Sequence, residues 1–330
     1  MAEVSVVMSI YNDEEYLSDS IDSILNQSFT DFEFIIVVEF GSSAESVKLV
    51  EEYASKDKRV VPIFNDTKLG ISASVNRGMR MAVGKYIARM DGDDISGINR
   101  LAYQKRFLDY YDNIGVLGTR HTVIDSPKWR VDFFADPNLN YSELLFFLPL
   151  RQPTIMIRKR ILDEFNLYYN EQLLGVEDYD FFIRAGDCTE LSNLMDDELF
   201  QYRRAAGNKS EIDREHDEAV RAELARSLYE RKFGRQYLDD ELKTLMFTTQ
   251  FDNLDRNQFG NSMEKLNLLI TEMYRINMER KIYDINCIEK TFCHRWLFAK
   301  HAMELRCKGS VPEYAKEVFR NGLFYRKWME

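Results

Sequence analysis

The chain has 330 residues, 45% of them hydrophobic and 30% charged, enough apolar material for a substantial core and for two domains. Its 44 basic and 55 acidic side chains give a formal charge of −11, which excludes a general nucleic-acid binder, because a phosphate backbone requires a basic face. A single phosphate-bearing ligand is still allowed, since local groups or a metal can neutralise it.

The opening "MAEVSVVMSIYNDEE" lacks the basic and then apolar regions of a secretory leader. Nowhere do about 18 uncharged apolar residues run together, so the expectation is a cytoplasmic protein that does not span a membrane. The first strand is expected at "VSVVMSI" and a helix from Asn12 to about Asn26, with Leu17, Ile21, Ile24 and Leu25 on one face. Asn12 and Glu15, three residues apart, suggest a capping box at its start. A second strand, "FEFIIVV", precedes a helix carrying Val47, Val50 and Ala54. The weaker strand "RVVPIF" precedes one carrying Ile71, Val75, Met79 and Ala82. The fourth strand, "KYIARM", ends in "DGDD". This alternation predicts an α/β fold whose first half is a doubly wound, mostly parallel sheet.

After Ser96 the pattern becomes less regular: a helix near 99–111, a strand "IGVLGT", the irregular "VIDSPKWRVDFFADPN", a strand "TIMIR", and then "GVEDYDFFIRAG". From about residue 211 the text is long, charged and helical, which reads as four or five appended helices. The four cysteines are too few for a disulfide framework. Cys287, Cys293 and Cys307 lie with His294 and His301 at a spacing that fits no zinc template, so buried thiols are expected in place of a metal cluster.

Ligands of such sheets bind outside the carboxyl ends of the strands. Three polar turns, "SIYND", "EFGSS" and "DGDD", fall there. Asp91 and Asp93, one residue apart at a strand end, can converge on a hard cation such as Mg²⁺ or Mn²⁺, which takes oxygen ligands and keeps positions open for phosphates. A solvated acidic turn is the plainer alternative.

In order, "VSVVMSIYNDEEYLSDSIDSILNQSFTDFEFIIV", "LGISASVNRGMRMAVGKYIARMDGDD" and "GVEDYDFFIRAG" resemble the family 2 glycosyltransferases of the GT-A fold, in particular bacterial enzymes that build capsule, O-antigen and related surface polysaccharides. The resemblance covers residues 3–210, with a nucleotide-sugar part at 1–98 and an acceptor part at 99–210, and leaves the helical 211–330 outside. It implies Asp91 near the ribose and, with Asp93, on a Mn²⁺ or Mg²⁺ ion that bridges the donor diphosphate. Asp94 is expected to cap the next helix. Ser9 and Tyr11 match the donor-base pocket, with Tyr11 stacking on a pyrimidine. Where the family shows two acidic residues before Gly-Ser, this chain has Glu39 and Phe40. Glu39 keeps the capacity to accept from a uracil imide, while Phe40 removes a polar position.

The same resemblance makes Asp178 the general base on the acceptor hydroxyl, with Glu177 positioning the acceptor and Asp180 structural. A base is needed because an alcohol attacks slowly until its proton is taken. Together these imply a metal-dependent inverting transfer of one hexosyl or N-acetylhexosaminyl unit from a nucleotide sugar, with UDP expected, to a glycan or lipid-linked glycan. The Gln-x-x-Arg-Trp segment and membrane spans of processive members do not occur in the expected place. Two alternatives stay open, a nucleotidyltransferase, which would want a glycine-rich, lysine-bearing first loop, and a non-catalytic nucleotide-sugar-binding module. The ending "RNGLFYRKWME" mixes basic and aromatic residues as membrane-interface segments do, and a packed helix or a homodimer contact fits it equally.

Overall fold

The structure, a computed structural model, describes residues 2–12, 14–124, 126–130, 133–203, 214–246 and 256–306. Cys307 and the "RNGLFYRKWME" ending lie outside the described residues. The chain divides into two compact units, Met1–Pro137 with Pro149–Asp213, and Asn138–Leu148 with Arg214–Glu330.

In the first unit β1 (Val4–Ile10), α1 (Leu17–Leu25), β2 (Phe32–Val38), α2 (Ala44–Lys56), β3 (Val60–Phe64), α3 (Ile71–Met81) and β4 (Tyr86–Asp91) alternate as expected. There follow β5 (Ile95–Ser96), α4 (Arg100–Tyr110), β6 (Ile114–Thr119), β7 (Thr122–Val123) and β8 (Ser126–Arg130). After α5 (Pro137–Glu143), nearly all of which belongs to the second unit, come β9 (Met156–Arg158), α6 (Lys159–Phe165), α7 (Glu177–Cys188), β10 (Glu190–Leu194) and β11 (Phe200–Tyr202). Seven strands form one sheet in the order β10-β6-β9-β4-β1-β2-β3, parallel except for β9. A smaller sheet runs β5-β11-β7-β8.

The central strands read as continuous apolar runs because helices cover both faces of the sheet. Val6, Met8, Phe34 and Ile36 join one core with Leu17, Ile21 and Ile24 of α1. Burying each of these α1 side chains contributes roughly 1.5–3 kcal/mol. On the other face α3 lies close over β1, and a Cβ at Gly78 would come within 2.6 Å of Val7 Cγ1. Only glycine allows that approach.

Two expectations are corrected here. Helix α1 starts at Leu17 and not near Asn12, with Tyr16 at its N-cap and no side-chain cap, so the capping box does not form. Asn12 instead takes a left-handed φ of 59°, and its Oδ1 accepts from the Ser43 amide at 2.7 Å, tying the end of β1 to the start of α2. Asp94 does not cap the following helix, which begins at Arg100 with Asn99 at the N-cap.

His121, just beyond β6, is 2% exposed, lies between the Phe133 and Tyr202 rings, and has no hydrogen-bond partner among the described residues on either ring nitrogen. Burial, reinforced by the Arg151 charge, pushes its pKa down to about 4. The unfolded chain, with an imidazole near 6.5, then binds a proton that the folded state refuses. Stability is expected to fall as pH drops from about 6.5 toward 4, by roughly 3 kcal/mol at the limit. Urea unfolding of His121→Leu should show a shallower loss over that window than wild type, and parallel pH profiles would refute the assignment.

The second unit is helical, with most of α5 joined by α8 (Arg214–Phe233), α9 (Asp239–Met246), α10 (Arg256–Arg280) and α11 (Ile285–Arg306). A buried polar cluster links α5 to α11: Thr291 Oγ1 donates to Glu143 Oε1 at 2.9 Å, and His294 Nδ1 meets the same oxygen at 2.8 Å. Cys287 and Cys293 are buried thiols. No group of three metal-binding side chains gathers among the described residues, and among them no helix is long and apolar enough to cross a membrane.

Candidate active site

Strand register assembles the mouth of the site. Ser9 of β1 stands opposite Asp91 of β4 on one side and Val37 of β2 on the other. Neighbouring strands lie about 4.8 Å apart. Tyr11, Glu39 and Asp91 therefore emerge side by side from three adjacent strand ends. Tyr11 is 47% exposed and Phe40 is 54% exposed, whereas Glu39 between them in sequence is 6% exposed.

Glu39 is turned inward. Its Oε1 accepts from the amides of Phe40 (2.8 Å) and Leu69 (3.0 Å) and from Asn65 Nδ2 (3.2 Å). Its Oε2 accepts from the Gly70 amide (2.5 Å) and Ser74 Oγ (3.2 Å). Gly70, at φ 86°, is the N-cap of α3 and has no side chain with which to cap it. The Glu39 carboxylate, just after β2, accepts instead from the amide of that N-cap residue, favourably placed at the positive end of the helix. Burial alone would raise its pKa, but the amides of Leu69, Phe40 and Gly70 and the Asn65 side chain outweigh this and hold the carboxyl below its usual range.

The acidic turn is held from several sides. Arg89, wholly buried, points its guanidinium along β4, donating to the carbonyls of Val7 (2.9 Å) and Met90 (3.1 Å) and to Asp91 Oδ1 (2.8 Å). Asp93 is half-buried. Asp94 is wholly buried. Its Oδ1 accepts from the Arg203 amide at 2.8 Å, and its carbonyl accepts from Ser20 Oγ at 2.6 Å. Burial, with the charges of Asp91 and Asp93 adding to it, pushes the Asp94 carboxyl well above the ordinary carboxylate range. Arg203 also donates from Nε to the Asp93 carbonyl (2.8 Å) and lies 4.0 Å from the centre of the Tyr16 ring. The strand end at β11 is thus latched to the turn.

Glu177 and Asp178 open α7, where negative charge is favoured by the helix dipole. Glu177 Oε2 accepts from the Gly175 amide and Asp178 Oδ1 from the Tyr179 amide, at 2.8 and 2.7 Å. Asp180 is committed elsewhere, receiving two bonds from Arg184 at 2.9 and 2.7 Å. Tyr169 is buried against Phe181 of α7, the ring centres 4.9 Å apart. Burial first, with the Asp178 and Glu177 charges adding, raises its hydroxyl to about 12, while the Arg89 charge pulls the other way. Asn76 of α3 fixes Tyr169, exchanging two bonds of 2.9 Å with its backbone.

Reasoning from sequence missed Arg89, Arg203, Tyr16 and Lys68, whose ammonium lies 5.0 Å from the Tyr11 ring centre. Arg89 left a signal, as a lone charge inside an apolar strand two residues before Asp91. Arg203 and Tyr16 left none that a linear reading can use.

An acidic turn at the carboxyl end of a mostly parallel sheet, with an exposed aromatic residue at the adjoining strand end, fits a GT-A type fold. The family model for glycosyl transferase family 2 matches residues 5–164. An uncharacterised glycosyltransferase of Methanocaldococcus jannaschii is 36% identical, the alignment spanning 61% of this chain and 70% of that one. The O-antigen biosynthesis glycosyltransferase WbnJ of Escherichia coli is 30% identical over 59% of this chain and 76% of its own. The crystal structure of S. aureus TarS residues 1–349 in complex with UDP-GlcNAc has the same fold, with a TM-score of 0.62 at 18% identity, covering 92% of this chain and 91% of that one. The chain belongs to glycosyl transferase family 2, and it is a glycosyltransferase.

Proposed function

We propose that the chain transfers one sugar from a uridine diphosphate sugar to a hydroxyl of a glycan or lipid-linked glycan, with inversion, during assembly of a surface polysaccharide. The observation that supports this best is the register that sets Ser9 opposite Asp91, with Tyr11 and Glu39 following at the adjoining strand ends. In this reading residues 1–210 carry out the transfer, and the helices beyond serve the acceptor, a second copy of the chain or a membrane surface. A lipid-linked acceptor would place the reaction at the cytoplasmic face of a membrane. The O-antigen role named for WbnJ agrees with a polysaccharide product.

Asp91 and Asp93 fit a hard divalent cation. The described residues contain no closed cage of three ligands, and two half-buried carboxylates at a mouth suit an ion that shares its coordination with water and phosphate. Mg²⁺ or Mn²⁺ held by Asp93 with Asp91 would supply Lewis-acid stabilisation for the departing diphosphate. Arg89 keeps Asp91 oriented by occupying its Oδ1. Ser9 and Tyr11 bind the nucleoside, Tyr11 through its exposed ring, and Glu39 builds the pocket wall. Glu177 positions the acceptor. Asp178 takes the proton from the acceptor hydroxyl as its oxygen attacks the anomeric carbon on the face opposite the diphosphate, which inverts the configuration.

A thermal-shift screen of nucleotide sugars with Mn²⁺ tests the donor. UDP-sugars are expected to raise Tm above GDP- and dTDP-sugars, since occupancy at 100 times Kd stabilises by about 2.7 kcal/mol. Protection by GDP-sugars with none by UDP-sugars would overturn the donor reading.

A further inference from the structure

Glu39 occupies the position from which a carboxylate would be expected to read the base, and its geometry argues for a different task. An ionised carboxylate offers about four lone-pair sites. Five donors of the chain already converge on this one: three backbone amides, the Asn65 amide and the Ser74 hydroxyl. A uracil imide could enter only by displacing one of them, and the Asn65 and Ser74 donors are buried and the Gly70 amide half-buried, so each of these three would be left unsatisfied if displaced. The Asn65 amide is itself fixed, donating to Ser74 Oγ at 2.7 Å and accepting from Arg77 Nη1 at 2.6 Å.

The amides that Glu39 holds belong to Leu69 and Gly70. Lys68, the residue before them, extends its ammonium over the Tyr11 ring. A continuous set of contacts thus runs from Glu39 to the turn at 65–70 and on to the exposed aromatic ring at the mouth. The same carboxylate accepts from the N-cap amide of α3, whose Asn76 holds Tyr169.

We propose that Glu39 is a positioning residue of the donor pocket that sets the 65–70 turn and Lys68 against Tyr11, and that it does not contact the base. The inference rests on reading the site as a uridine diphosphate pocket. It makes Tyr11, Lys68 and the exposed Phe40 the side chains that present a surface to the base, so selectivity comes from shape and stacking more than from an acceptor for the N3–H group.

Calorimetry of UDP and N3-methyl-UDP, in Mn²⁺, on wild type and Glu39→Gln separates the two roles. The methyl group removes the hydrogen that a base-reading carboxylate would bind. A positioning role is expected to weaken both ligands about tenfold in Glu39→Gln. Their affinity ratio should stay within about twofold of wild type, because a variant without direct contact to N3 does not couple to it. A loss confined to UDP, with N3-methyl-UDP unaffected, would overturn the inference, as would a Glu39→Gln enzyme that binds both as wild type does. Ser74→Ala provides a milder variant that removes one donor to Glu39 and keeps the carboxylate, in case Glu39→Gln does not fold. It is expected to weaken both ligands by a common factor of about three, and a selective loss of UDP would overturn the proposal. Wild-type protein that binds no UDP would overturn the donor reading and this inference with it, whereas wild-type binding with a selective loss overturns the inference alone.

Discussion

Replacement of Asp178 by asparagine is expected to slow sugar transfer about 10²–10⁴-fold while leaving UDP affinity within about twofold of wild type. Asp178 Oδ1 accepts from the Tyr179 amide at the start of α7, and asparagine keeps an oxygen for that bond. The other oxygen becomes an amide nitrogen that cannot take a proton. The change therefore removes base strength and preserves the position of the side chain. Loss of kcat with an unchanged donor KM is the signature of a group that matters in the transition state and not in holding the nucleotide. Full activity of the variant with its true acceptor would dismiss Asp178 as base. Glu177 would then be tested first, because Asp180 is already committed to two bonds from Arg184.

The sheet was legible because its physics is local: apolar runs of strand length alternating with helical periodicity leave few other solutions. The order of polar turns at the strand ends followed from the same alternation. What sequence could not supply was the direction in which a polar side chain points. Glu39 read as a base-contacting residue and Asp94 as a helix cap, yet both side chains are buried, Glu39 accepting from the Gly70 amide and Asp94 from the Arg203 amide. Asn12 and Glu15 had the right spacing for a capping box, but the left-handed turn at Asn12 directs it to Ser43 instead. The attachment of residues 138–148 to the helical second unit was equally invisible, since it depends on pairings such as Glu143 with Thr291 and His294, about 150 positions apart. Within the mouth, sequence could name the carboxylates and could not name Arg203, because a residue that contributes through its backbone amide and its Nε has no characteristic neighbour.

The second large effect belongs to Asp93. Calorimetry of UDP with Mn²⁺ is expected to show about 100-fold weaker binding in Asp93→Ala, and a similar weakening of wild type after chelation. An opposite charge at contact near a protein surface contributes up to about 4 kcal/mol. Allowing for solvent, about 2.7 kcal/mol remains, which corresponds to that factor. Collapse of the turn would not account for such a loss, because Arg203 Nε is received by the Asp93 carbonyl and its amide by Asp94 Oδ1, so alanine at position 93 leaves both bonds in place. Asp94→Asn is the matching control, since it retains an oxygen for the Arg203 amide and should keep metal-dependent UDP binding near wild type. Equal UDP affinity with and without chelator in wild type would remove the metal from the mechanism. Equal affinity in Asp93→Ala alone, with wild type still sensitive to chelation, would move the ligand role to Asp91.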